Sequence, residues 1–79
     1  MRNWTFLYHD NVINVVAKAG KAKLTINGIE QATSEDYKKD PNLYGSLKSG
    51  EEIRTIIGGP IYTRCSLYVD KLLQELKDA

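Results

Sequence analysis

Catalysis at neutral pH needs a nucleophile or an acid–base group held against a partner. This chain has one histidine, His9, beside Asp10, and one cysteine, Cys65. A Cys65–His9 dyad is the nucleophilic arrangement these residue types permit. Cys65, however, alternates with Arg64, Ser66 and Tyr68 and shares its parity with Leu67 and Val69. Free cysteine is among the most buried residue types, so this spacing predicts a core position. His9, in the polar run His9-Asp10-Asn11, reads as a turn residue. One cysteine and one histidine also fall short of a zinc-ligand set and cannot close an internal disulfide. The expectation is a protein without catalysis, metal or cofactor, unless copies of a homo-oligomer assemble a site between them.

The acidic pairs Glu35-Asp36 and Glu51-Glu52 do not change this. Adjacent residues on a strand point to opposite faces and those in a loop are solvated, so neither pair predicts two convergent carboxylates. Gly58-Gly59-Pro60 lacks the Lys-Ser or Lys-Thr of a phosphate loop, and its proline removes a backbone donor, so it predicts a turn.

Binding chemistry is better represented. Tyr62, Arg64 and Tyr68 share one parity of the last apolar stretch, which would set aromatic and cationic side chains side by side on an exposed strand face. Tyrosine and arginine dominate binding energy when a partner dries them, so these three are the candidate binding residues. Packing under the polar 33–42 segment is the competing role for the tyrosines. Lys18, Lys21 and Lys23 gather at one hairpin tip, and Tyr62, Arg64 and Tyr68 interleave charge with aromatics on one strand face, a combination found in single-strand nucleic-acid readers. The charge balance argues against that partner. Eleven basic and ten acidic residues leave a net charge of +1, too little to draw the chain to nucleic acid or an anionic membrane. Lysines at turns and edges also discourage edge-to-edge aggregation. A protein partner fits better, including a second copy of the chain.

The elements that must position these residues are β-strands. With 42% hydrophobic and 27% charged residues, the 79-residue chain has ordinary globular composition and length for one domain, residues 1–79. Such a chain buries only roughly 60% of its unfolded surface, which favours support from oligomerisation. The unpaired thiol and the lack of a charged-then-apolar leader after Met1 predict a cytoplasmic protein. No apolar run reaches membrane-spanning length.

Trp4, Phe6 and Tyr8 alternate with Thr5 and Leu7, which predicts a strand over 3–8, and the β-branched run from Val12 predicts another over 12–18. Gly20 marks a tight connection. Asn27-Gly28 is the strongest hairpin signal, since both central residues of a type I′ turn need positive φ, and it predicts that the third strand turns back into 29–33. Residues 33–42 form the long polar connection, with Ser34 placed to cap a short helical turn through Glu35-Asp36-Tyr37 and Pro41 placed to end it. Leu43–Lys48 and Glu51–Ile57 predict a second hairpin around Ser49-Gly50. The alternation from Ile61 to Asp70 predicts a seventh strand. Val69, Leu72, Leu73 and Leu76 also fall at helical spacing, so a C-terminal helix over 70–77 remains the alternative.

An internal repeat bears on that choice. Ala22–Gln31 lines up without gaps on Cys65–Gln74, and upstream Val12–Val16 lines up on Ile53–Ile57, with two extra residues around Gly58-Gly59-Pro60. The pattern suggests two related β units. The segments Lys23-Leu24-Thr25-Ile26-Asn27-Gly28 and Ser66-Leu67-Tyr68-Val69-Asp70 resemble the strand-turn-strand phrase of the Fas apoptotic inhibitory molecule family. That resemblance implies a β-sandwich and a regulatory or protein-stabilising role, with no catalytic residues to carry over. Lys71 stands where the phrase has glycine.

The reading is an all-β protein, a small antiparallel sandwich or barrel-like domain of about seven strands built from two similar hairpin units. Its expected role is a non-catalytic protein-interaction or assembly module. The alternatives are an α+β subunit docking through a C-terminal helix, or a weak nucleic-acid or carbohydrate binder.

Overall fold

Four of the chain reversals are two-residue turns in which both residues take positive φ: His9-Asp10 (45°, 65°), Ala19-Gly20 (53°, 83°), Asn27-Gly28 (51°, 81°) and Asp70-Lys71 (48°, 70°). Turns of this type match the right-handed twist of the strands they join, so each makes a tight antiparallel hairpin. The computed structural model describes residues 1–74. Within them β1 (Arg2–Tyr8), β2 (Asn11–Lys18), β3 (Lys21–Ile26) and β4 (Ile29–Ser34) form one four-stranded sheet in sequence order. β5 (Asn42–Ser46), β6 (Glu52–Gly58), β7 (Arg64–Val69) and β8 (Leu72–Gln74) form a second sheet of the same order. The chain is all-β, two antiparallel meanders layered as a sandwich-like domain. Among the described residues there is no α-helix.

Period-two alternation sends one parity of each strand inward. Ile13, Val15, Ala17, Ala22, Leu24 and Ile26 from the first sheet meet Leu43, Ile53, Ile57, Leu67 and Val69 from the second in a single hydrophobic cluster. Leu47 joins it from the β5–β6 loop, where Gly50 at φ 103° and the Leu47 N–H bond to the Glu51 carbonyl (3.0 Å) close the turn. Trp4, Phe6 and Tyr8 of β1 lie half-buried against the same cluster. A β-bulge interrupts β4, where Leu24 pairs with Ala32 but Thr25 pairs with Glu30. The extra residue, Gln31, reaches across to the other sheet and its Oε1 accepts the Ser46 N–H at 3.4 Å.

The two meanders repeat each other. Ile26 faces Ile13 in the first, and Val69 faces Ile53 in the second. Ile13 and Ile53 are therefore equivalent, not Val12 and Ile53, and the alignment expected from sequence is one residue out along β2 and β6. The insertion in the second unit is correspondingly one residue longer, because Gly59–Thr63 separates β6 from β7 where Ala19-Gly20 alone separates β2 from β3. A one-residue slip would turn every side chain of β6 to the wrong face, so burial fixes the register that residue matching missed.

Three further points are decided by the structure. The described residues form eight strands, the eighth added to the seven read from sequence. Asp70-Lys71 turns the chain into β8, so residues 70–74 are not helical, while the rest of the proposed helix, 75–77, lies outside the described residues. The 33–42 connection holds no helical turn capped by Ser34, which ends β4 with its hydroxyl donating to the Asp40 carbonyl at 2.8 Å. Asp36 organises that turn instead, its Oδ1 accepting the Lys38 N–H at 3.0 Å and its carbonyl accepting the Asp40 N–H at 2.8 Å.

Candidate interaction surface

The register of the second sheet places Tyr44 opposite Arg54, Arg54 opposite Tyr68 and Tyr68 opposite Leu73. These four residues form one row across all four strands. Their neighbours Ile53, Thr55, Leu67 and Val69 are buried, so the row stands on the outer face of the sheet. Tyr44 is 54% exposed and Leu73 52%. The Arg54 guanidinium sits over the Tyr68 ring, 4.4 Å from its centroid, a cation–π pairing that orients both side chains without a carboxylate. Among the described residues no carboxylate forms a salt bridge with Arg54. Half-buried Ile56 extends the apolar surface beside the row.

The sequence-predicted binding residues are split by this geometry. Tyr68 is in the row. Arg64 opens β7 opposite Gly58, exposed, on the same face as Tyr68 with Ser66 between them. Tyr62 is not on the strand. It closes a 3₁₀ turn, Pro60–Tyr62, at φ 53°, packs against the core, and meets Tyr37 edge-on with ring centroids 5.6 Å apart. Its part in the structure is to cover the core beneath the 33–42 connection. Arg64 holds the exposed place expected of it, and Tyr44, Arg54 and Leu73 stand beside Tyr68 across the sheet in place of Tyr62. Their signal was available only through cross-strand register, which the longer loops of this sheet hide.

The Cys65 side chain lies half-buried on the core side of β7, and burial pushes its thiol up to about 12, so it stays protonated at neutral pH. His9 occupies the β1–β2 turn on the other sheet, edge-on to Tyr8 at 4.3 Å between centroids. The two groups are parts of different layers. Glu35 pairs with Lys21 at 3.4 Å, and among the described residues no three His, Cys, Asp or Glu side chains gather as a metal site. No helix of the described residues is long and apolar enough to cross a membrane. Lys18, Lys21 and Lys23 lie on the first sheet, apart from the tyrosine row on the second, so basic tip and aromatic face are not one surface.

Comparison with protein families, curated proteins and solved structures finds no match to the chain.

Proposed function

We propose that this protein is a non-catalytic protein-interaction module that binds its partner with the outer face of the second sheet. The observation that carries this reading is a contrast between the two halves. In the first meander the row equivalent to Tyr44–Arg54–Tyr68–Leu73 is Thr5–Asn14–Thr25–Glu30. There Asn14 is tied to β1, its amide donating to Asn3 Oδ1 (2.6 Å), Trp4 O (3.1 Å) and Thr5 Oγ1 (3.0 Å). The fold thus tolerates a fully polar row at this place. The second meander presents aromatic, cationic and aliphatic side chains instead, the composition of protein contact surfaces.

The resemblance of the hairpin phrases to the Fas apoptotic inhibitory molecule family supports a regulatory or stabilising role, and the unpaired thiol supports a reducing, cytoplasmic setting. A second copy of the chain is the first partner to test, since two sheets of this size leave edges and the aromatic row of the second sheet open to pairing. Chemical cross-linking and affinity capture with wild type, Tyr44→Ser and Tyr68→Ser decide the matter. A partner, self or other, held by wild type and lost by both variants supports the reading. Retention by folded variants overturns it.

A further inference from the structure

The tip of the β2–β3 hairpin concentrates positive charge that the fold does not require. Register sets Lys18 directly opposite Lys21 and Val16 opposite Lys23, all on the outer face of the first sheet. Like charges directly opposite on a sheet are destabilising. The equivalent positions of the second meander hold Gly58, Arg64, Ile56 and Ser66, so the architecture accepts other residues there. Between the lysines lies a hollow of about 260 Å³ lined by Val16, Lys18, Lys21, Ala22 and Lys23. Its lining is mostly apolar, as lysine stems provide when their methylenes cover a surface and their charged heads reach for water. Glu35 answers Lys21 at 3.4 Å, and among the described residues neither Lys18 nor Lys23 has a salt-bridge partner.

We propose that this hollow binds an acidic segment of a partner protein, seating one small aliphatic side chain on Val16 between the lysine stems, with flanking carboxylates on Lys18 and Lys23. Charge complementarity selects the acid, and the apolar lining selects a peptide over a bare anion. No aromatic side chain lines the hollow, so a nucleic acid would find no surface on which to stack a base. The Lys21–Glu35 pair already shows the contact in miniature, a carboxylate from another segment of chain drawn to the rim. The site is on the opposite layer from the Tyr44–Tyr68 row and stands or falls separately from it.

The test is titration of the whole ¹⁵N-labelled chain with the peptide Gly-Asp-Glu-Leu-Glu-Asp-Gly at low salt. Saturable amide shifts centred on Val16, Lys18, Lys21 and Lys23 are expected. Affinity should fall about tenfold in Lys18→Gln/Lys23→Gln, which keeps most of the side-chain stem and removes the charge, and again when serine replaces the peptide leucine. Lys18→Thr/Lys23→Thr, with strand-forming replacements, is the second variant should the first not fold. Absence of saturation at millimolar peptide overturns the proposal. So does unchanged affinity in a folded double variant, or tighter binding at the same amides by inorganic phosphate, a short single-stranded oligonucleotide or anionic vesicles.

Discussion

Asn27 holds Val12 by two bonds: its Oδ1 accepts the Val12 N–H at 2.8 Å, and its own N–H donates to the Val12 carbonyl at 2.8 Å. Asp70 does the same for Glu52 in the second sheet, with Oδ1 accepting at 2.8 Å and N–H donating at 2.9 Å. Each turn residue therefore clasps the start of the neighbouring strand, tying the last hairpin of its meander to the middle one. Asn27→Ala and Asp70→Ala are each expected to lower unfolding free energy by about 1–2 kcal/mol, read from urea denaturation. An effect below about 0.3 kcal/mol at both sites would mean that the side-chain bonds add nothing to the backbone ones.

Lys71 takes φ 70° where its counterpart Gly28 takes 81°. A side chain in the left-handed region costs about 1–2 kcal/mol that glycine avoids. Lys71→Gly should raise stability by about 1 kcal/mol and Gly28→Ala should lower it by a similar amount, as shifts in the denaturation midpoint.

Thr55 is fully buried and its hydroxyl has no hydrogen-bond partner. The equivalent position in the first sheet is Val15, also fully buried. Thr55→Val replaces a desolvated hydroxyl by a methyl of nearly the same shape and should stabilise the fold by about 1 kcal/mol. A loss of stability, measured calorimetrically, would reveal a partner for the hydroxyl.

Cys65 should react slowly with a thiol reagent at pH 8 and quickly once denaturant is added, because burial raises its thiol from 9.0 to about 12. The linked stability has a definite sign. The unfolded chain loses the thiol proton near pH 9 while the folded chain keeps it, so the contribution is whole below pH 9 and declines as pH rises from 9 towards 12. Cys65→Ala should flatten that part of the stability profile.

Much of the fold was legible because its signals are local. Asn27-Gly28 and His9-Asp10 mark their turns by residue type, and the alternation around Val12–Lys18 and Cys65–Val69 marks faces directly. Asp70-Lys71 was ambiguous because Leu-Gln-Glu-Leu favours helix, and the clasp on Glu52 that decides for a turn comes from another strand. Tyr68 could be read from its own strand. Arg54 and Tyr44 could not, because their place beside it depends on how Gly59–Thr63 and the 47–51 loop set the register. Tyr62 kept the right parity but stood on the wrong element, since the inserted turn ends one residue before β7 begins its pairing at Arg64.

Among the described residues every strand pairs only with its neighbours in sequence. That topology has kinetic meaning. Pairing proceeds through short loops whose closure takes little entropy, and only the docking of one meander on the other joins residues far apart along the chain. Folding should therefore be fast for an all-β protein. During synthesis the strands of residues 2–34 can zip together while the second half is still being made, their apolar face uncovered until β5–β8 arrive to close over it.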